Sequence, residues 1–187
     1  MRAFLAIDIT QKEILDRISG ILREIKRTGA LVKPVELENI HLTLRFFGEI
    51  DENDVVEIKS VLESSLRGFK TFNMKLVGLG AFPSLGSPRV IWIGVSEGVN
   101  EVKYLVNKIT PKLNRIGTHR ENRPFSPHIT ICRVKRYNSA LKSLIEKYKS
   151  EIFGTIKVSE ISLKKSKLTP SGPIYTTLYS YKLEETN

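Results

Sequence analysis

Two of the three histidines in this 187-residue sequence lie in short motifs of the same form: a histidine, an apolar residue, a threonine and a second apolar residue. The motifs begin at His41 and His128, so their threonines are Thr43 and Thr130. Both motifs lie in apolar, β-branched runs that are typical of β-strands. On a strand, residues i and i+2 project from one face. Each histidine should therefore share a sheet face with its threonine.

An imidazole can accept or donate a proton near neutral pH, because its ordinary pKa is about 6.5. Two imidazoles that meet at one phosphorus atom suit an in-line displacement. One deprotonates the attacking water or hydroxyl, and the other protonates the leaving oxygen. Threonine hydroxyls can hydrogen-bond phosphate oxygens, and an arginine can stabilise the growing negative charge. His41 and His128 are therefore candidate acid–base residues, with Thr43 and Thr130 as phosphate ligands.

Two other chemistries compete for the same histidines. A catalytic zinc site usually takes three protein ligands, and Cys132 or His119 could join His41 and His128. Strict alternation along the second strand puts Cys132 on the face of His128. No His-Glu-x-x-His motif or comparable ligand spacing occurs, which makes metal binding the weaker hypothesis. A nucleophilic Cys132 is weaker again, since a lone strand cysteine is more often a small core residue.

Apolar periodicity indicates that strands and helices alternate around these motifs. Strand-like runs occupy about residues 3–9, 41–47, 72–79, 89–95, 128–134, 156–163 and 174–183. Apolar residues at helical spacing begin in four segments near Ile14, Val55, Val102 and Leu141. Thr10 and Asn138 lie where the N-caps of the first and fourth helices are expected.

The sequence also matches itself at an offset of 87 residues. Residues 41–44 fall on residues 128–131, and Arg2 falls on Arg89. The length suits one domain, so we expect residues 1–187 to form a single bilobal α+β domain. Its two lobes would be related by a pseudo-twofold axis and interleaved through the C-terminal strand. Each would be a mostly antiparallel sheet with helices packed outside, and the histidines would face each other across a central groove.

Composition excludes other classes of protein. A hydrophobic fraction of 41% and a charged fraction of 27% are typical of globular chains. The longest apolar run, residues 90–95, is far shorter than the roughly 20 residues of a membrane-spanning helix. Asp8 interrupts the first apolar stretch, so no signal peptide is expected and the location should be cytoplasmic. The net charge is +10, and residues 94–187 carry most of the excess, which favours a polyanionic partner such as nucleic acid.

The motifs and their flanks resemble the RNA 2',3'-cyclic phosphodiesterase branch, also called 2'-5' RNA ligases, of the 2H phosphoesterase superfamily. The similar stretches are residues 2–7, 41–49, 80–83, 89–92, 125–133 and 166–175. The resemblance implies hydrolysis of an RNA-terminal 2',3'-cyclic phosphate to a 2'-phosphate, without a metal or other cofactor. It further implies that His41 is the proton donor to the 3' oxygen and that His128 is the proton acceptor acting on water. Thr43 and Thr130 would hold phosphate oxygens.

Two arginines are candidates for phosphate contact. The resemblance assigns this role to Arg133, but strict alternation turns Arg133 away from His128. The role therefore requires the strand to bulge or end near Cys132. Arg45 shares the face of His41 on an ideal strand and is the second candidate, although a solvated position beside the groove would also explain it.

Two aromatic residues and a basic run are candidates for RNA contact. Phe125 and Tyr175 lie near the matched motifs and could stack on a terminal base, although core or rim positions would also explain them. Lys164, Lys165 and Lys167 could follow RNA phosphates or form a solvated surface.

The sequence thus predicts a monomeric enzyme that acts on RNA ends or cyclic-phosphate nucleotides, tRNA-derived RNA among them. Hydrolysis and 2'-5' ligation can share one in-line transition state, so the reaction could also run in reverse. The alternative is an RNA- or nucleotide-binding module with little turnover. Only the enzyme requires both imidazoles to transfer protons.

Overall fold

The computed structural model describes residues 1–120 and 122–186, which form nine strands, four α-helices and one short 3-10 helix (Leu37–Asn39). The strands are β1 (Arg2–Asp8), β2 (Leu31–Pro34), β3 (His41–Glu49), β4 (Phe72–Phe82), β5 (Val90–Glu97), β6 (His128–Arg136), β7 (Ile152–Val158), β8 (Glu160–Thr169) and β9 (Gly172–Lys182). The helices are α1 (Lys12–Arg27), α2 (Glu52–Ser65), α3 (Val99–Leu113) and α4 (Ser139–Lys147).

The helices form because apolar side chains recur every three or four residues and pack on the sheet. The stripe on α1 consists of Ile14, Ile18, Ile21, Leu22 and Ile25. Asn138 caps α4 as predicted, since its side chain accepts a backbone N–H of the first turn. The N-cap of α1 is Gln11, not Thr10, and it makes no side-chain cap bond. At α2, Asp51 and Asp54 form a capping box.

The strands form one antiparallel sheet in the order β7-β4-β5-β6-β3-β1-β8-β9, and β2 pairs with the end of β6. This order is symmetric about the boundary between β3 and β6, where Leu42 is the register partner of Ile129. The two motif strands therefore lie side by side at the centre. β4 joins the half-sheet of β5 and β6, while β8 joins that of β1 and β3. Each of these two strands therefore pairs with the half of the sheet that does not contain its own motif strand.

The predicted α+β fold with two halves around a central groove is confirmed, but two elements differ from the prediction. The strand predicted over residues 156–163 is two strands, because the chain breaks at Ser159 between β7 and β8. β2 was not predicted, since it has only four residues and ends in Pro34. The two half-sheets are also continuous with each other through Leu42 and Ile129, both fully buried.

The helices cover one face of the sheet, and the apolar residues of β3 and β6 contribute to the core on that side. The opposite face of the two central strands is left open and forms the groove. Within the described residues, no helix has the length and apolar character that a membrane span requires.

Candidate active site

The four polar residues of the two motifs line one groove of about 570 Å³. His41 and Thr43 reach it from β3, and His128 and Thr130 reach it from β6. The register pair that joins β3 to β6 explains this arrangement. Extending that antiparallel register by one residue sets His41 opposite Thr130 and Thr43 opposite His128. The structure thus brings both imidazoles to one site, as the sequence predicted.

Each histidine is oriented by the backbone carbonyl two residues earlier. The Nδ1–H of His41 donates to the oxygen of Asn39 at 2.7 Å, and that of His128 donates to the oxygen of Ser126 at 2.7 Å. A carbonyl can only accept, so the proton lies on Nδ1 in both rings and Nε2 is left to react. Nε2 of His41 lies 3.0 Å from Oγ1 of Thr43. A neutral ring can therefore accept a proton at Nε2, and a charged ring can donate one.

Two aromatic rings and one ion pair lie close to His41. The ring of Phe4 packs against it at 4.9 Å and that of Tyr175 at 5.5 Å. Asp8 is its register partner on β1 and holds an ion pair with Lys164 at 3.0 Å. Burial lowers the pKa of His41, and the charge of Lys164 lowers it further. The bonded backbone carbonyl and Asp8 oppose this shift but do not cancel it.

His128 is flanked by different aromatic rings. The ring of Phe82 meets it edge-on at 5.0 Å, and Trp92 lies at 6.4 Å. Trp92 is the register partner of Gly80 on β4, where a Cβ atom would lie 2.2 Å from the indole. Glycine at this position therefore lets the indole lie against β4, where it packs against Phe82 at 5.1 Å.

A β-bulge in β6 turns Arg133 into the groove. The register between β5 and β6 skips Ile131, which lies between Thr130 and Cys132. Ile131 and Cys132 are consecutive and both fully buried. The side chains that follow them on β6 therefore point to the opposite sheet faces from those expected on an unbroken strand. Arg133 consequently lines the groove with the motif residues. The bulge that a phosphate role requires is present, and the role itself stays a prediction.

An equivalent bulge in β3 removes Arg45 from the groove. The register between β1 and β3 skips Leu44, which reverses the alternation after Thr43. Arg45 is 6% exposed and points to the helix side of the sheet, where its Nη2 donates to the oxygen of Leu113 at 3.1 Å. Its guanidinium also lies over the ring of Phe47. The prediction that Arg45 contacts the phosphate is therefore wrong, because it assumed an unbroken strand.

Among the remaining candidate RNA-contact residues, one lines the groove and others lie elsewhere. Tyr175 lines the groove, where burial raises its pKa and the nearby charge of Arg133 opposes the shift. Phe125 is not among the described residues that line the groove, and it packs partly buried against the hydrophobic core. Its contact with a base stays a prediction. Lys165 and Lys167 also lie outside the described groove lining.

Cys132 faces the core, so the structure removes it from both competing chemistries. Burial raises the pKa of its thiol to about 12, which disfavours the thiolate that metal ligation or nucleophilic attack requires. His119 packs edge-on against Phe46 at 5.2 Å. Over residues 1–120 and 122–186, no group of three or more His, Cys, Asp and Glu side chains is arranged to hold a metal ion.

Sequence reasoning missed groove residues on both sides. Phe46 and Arg133 occupy equivalent positions beyond the two bulges, and the 87-residue offset relates them directly. Applying that offset to Arg133 would have identified Phe46. Arg2 lies over the ring of Phe46 at 5.4 Å. Lys33 comes from β2, and no repeat or motif marked it.

The ion pair beside His41 gives a test of its protonation. Because the charge of Lys164 lowers the pKa of His41 and Asp8 raises it, Lys164→Met should raise this pKa. At pH values well above that pKa, a proton donor acts only through its small protonated fraction. If His41 is the donor, the variant should therefore show a higher kcat/KM for a 2',3'-cyclic nucleotide at such pH values. NMR titration of the imidazole measures the shift directly.

Lys165→Met is the matched control, because Lys165 is the next residue on β8 and lies outside the described groove lining. It should leave the titration of His41 unchanged. A lower or unchanged pKa of His41 in Lys164→Met would contradict the electrostatic assignment. A raised pKa of His41 without a gain in rate would contradict the proton donor role of His41.

Comparison with known proteins agrees with this geometry. A family model described as LigT like phosphoesterase matches residues 7–92 and again residues 93–175. A curated relative from Archaeoglobus fulgidus, named RNA 2',3'-cyclic phosphodiesterase, is 42% identical over 178 residues, which cover 95% of this chain and 98% of the relative. A relative of the same name from Methanocaldococcus jannaschii is 41% identical over 180 residues, with 95% and 98% covered.

Solved structures show the same fold. A structure from Thermus thermophilus superposes with a TM-score of 0.81 at 27% identity and covers 100% of both chains. The structure of E. coli LigT complexed with 3'-AMP superposes with a TM-score of 0.78 at 26% identity and covers 97% of each chain. The family resemblance of the sequence is thereby confirmed, and the chain belongs to the LigT-like phosphoesterase family.

Proposed function

We propose that this protein hydrolyses the 2',3'-cyclic phosphate at RNA ends and leaves a 2'-phosphate. The observation that carries the proposal is the pair of imidazoles at one groove, each with Nδ1 held by a carbonyl. The reacting Nε2 atoms of His41 and His128 come from adjacent antiparallel strands. This arrangement supports proton transfer on both sides of one phosphorus atom.

In the proposed reaction His128 accepts a proton from water at Nε2, and the water oxygen attacks phosphorus. The bond between phosphorus and the 3' oxygen breaks. His41 donates its Nε2 proton to that oxygen, so the products are a 2'-phosphate and a 3'-hydroxyl. The lowered pKa of His41 favours the neutral ring in the free protein. The negative charge of the bound cyclic phosphate would raise this pKa and restore the donor form.

The same groove supplies contacts for the phosphate oxygens. Thr43 and Thr130 can donate hydroxyl hydrogen bonds to the non-bridging oxygens, and Arg133 brings a positive charge to the same lining. Since hydrolysis and ligation share the in-line geometry, 2'-5' RNA ligation would follow when an RNA 5'-hydroxyl attacks the same phosphorus in place of water and the 3' oxygen leaves as before. We further expect a cytoplasmic monomer whose substrates include tRNA-derived ends.

The names of the curated relatives support the substrate, since those that match over most of this chain are named RNA 2',3'-cyclic phosphodiesterase. The solved structures of E. coli LigT complexed with 3'-AMP and with ATP support a nucleotide as the kind of ligand that this protein binds. The proposed chemistry assigns proton transfer to imidazoles and needs no Lewis acid.

The test is an RNA oligonucleotide with a 2',3'-cyclic phosphate end, incubated with the purified protein with and without EDTA. We expect a 2'-phosphate product, identified by phosphorus NMR, at equal rates in both samples. A 3'-phosphate product would contradict the assignment of the leaving oxygen. A rate that EDTA removes and added metal restores would contradict the metal-independent mechanism. Tight binding of this RNA with no product would favour a binding module.

A further inference from the structure

A row of basic residues continues from the groove along the edge that β2 forms with β6. Lys33 is the register partner of Arg133, and both line the groove. Leu31 is the register partner of Arg136. Residues 31 and 33 lie on one face of β2 because side chains alternate along a strand. Leu31 and Arg136 therefore extend the groove face beyond Lys33 and Arg133.

This surface carries further positive charge. The register between β2 and β6 skips Lys135, which is exposed beside Arg136. We call Lys33, Arg133, Lys135 and Arg136 the cationic edge, and all four are exposed. Within the described residues, none of them forms an ion pair with a carboxylate. Lys164 beside the groove differs, since Asp8 neutralises it.

The opposite side of the groove is different in character. There β1 and the β8–β9 hairpin contribute apolar residues, Phe4, Leu168, Pro173 and Tyr175, together with Arg2, Ser166 and Ser171. Leu168 is 63% exposed, so an apolar side chain lies at the rim of this wall. Glu36 lines the groove as well, and its carboxylate lies in the segment that leads from β2 to β3. The groove thus has one wall of mixed apolar and polar residues, with Arg2 as its basic side chain, and one wall that continues into the cationic edge.

We propose that the cationic edge binds the phosphates of the RNA strand that precede the reacting terminal nucleotide. This inference rests on the proposed function, because an RNA end held between the two histidines must lead the rest of its strand out of the groove. Exposed cations bind such phosphates by releasing the counter-ions of the nucleic acid. The strand therefore leaves over β2 and β6, where Lys135 and Arg136 contact phosphates upstream of the reacting one.

The test compares two substrates in the double variant Lys135→Met/Arg136→Met. Neither residue lines the groove around the histidines, so kcat/KM for a 2',3'-cyclic mononucleotide should not change. For an RNA oligonucleotide with the same cyclic end, kcat/KM should fall about 5- to 10-fold at low salt. The dependence of log(kcat/KM) on log salt should become shallower by about 1.4, since each phosphate contact on a single strand contributes about 0.7.

Lys103→Met/Lys142→Met is the matched control. It removes the same charge from exposed positions of α3 and α4 and should affect neither substrate. Equal losses for both substrates, or no loss for the oligonucleotide, would overturn the proposal.

A binding measurement separates this inference from the proposed function. Fluorescence anisotropy with a 3'-phosphorylated RNA oligonucleotide needs no turnover, and the Lys135→Met/Arg136→Met variant should weaken binding by the same 5- to 10-fold, about the effect expected for kcat/KM. If neither cyclic substrate is cleaved, the proposed function fails while this measurement still decides the inference. If a polyglutamate peptide of equal charge competes as well as RNA does, the edge is a general polyanion surface and the RNA assignment is wrong.

Discussion

Replacing either groove histidine with alanine should lower kcat for a 2',3'-cyclic nucleotide by about 10²–10⁴-fold, because each variant removes one general acid or base. His41→Ala removes the proposed proton donor, and His128→Ala removes the proposed acceptor. The effect on binding should be smaller, since loss of one hydrogen bond to a charged ligand costs about 1.5–3 kcal/mol. Steady-state kinetics and equilibrium binding of a product nucleotide measure the two effects separately.

The third histidine provides a control. His119 packs against Phe46 and is not among the described groove-lining residues, so His119→Ala should retain kcat if the fold is kept. Circular dichroism would establish the fold of each variant. If His41→Ala and His128→Ala lost binding and rate in equal proportion, the groove would be a binding site and the acid–base assignment would be wrong.

The second large effect on kcat is expected when Arg133 is replaced. Replacing Arg45 should instead lower the stability of the fold. Arg133→Met should lower kcat by about 10²–10³-fold, because the groove loses a charge that stabilises the transition state. It should leave the thermal transition unchanged, since Arg133 is exposed. Kinetic measurements together with thermal unfolding would test both parts.

Arg45→Met should show the opposite behaviour. Arg45 is buried, and its loss leaves the carbonyl oxygen of Leu113 without that donor. The free energy of unfolding should fall by about 1–3 kcal/mol, while the folded variant keeps its kcat. A large loss of kcat in folded Arg45→Met would contradict its placement on the helix side. An unchanged kcat in Arg133→Met would remove Arg133 from the site.

The histidine pair could be predicted from the sequence because its signal is local. Two equal motifs lie on strands and are related by a constant offset. They define the chemistry of His41 and His128 and the sheet face on which both side chains lie. Arg45 was predicted wrongly because period-two alternation was carried through a bulge. The extra residue in each strand, Leu44 or Ile131, is an apolar residue of a kind common in regular strands, so nothing in its type marks the irregularity. Only the pairing with neighbouring strands reveals it.

Other groove residues depend on contacts between distant parts of the chain. β2 has four residues and becomes a strand because β6 offers an unpaired edge beyond the point where β3 leaves it. The local periodicity of the sequence does not indicate that edge, so Lys33 could not be predicted as a groove residue. Phe125 shows the converse case, since a ring close to a motif in sequence packs against the core instead.

The two halves of the sheet share one register pair among the described residues, Leu42 with Ile129, whereas β1 and β3 share seven. Each imidazole takes its orientation from within its own half, through a carbonyl of the preceding loop. The protonation of each ring therefore depends on its own half of the sheet. The separation of the two Nε2 atoms depends instead on the angle between β3 and β6 at the register pair that joins them. The core residues that pack beneath this register pair thus control the alignment of the two imidazoles without contacting either of them.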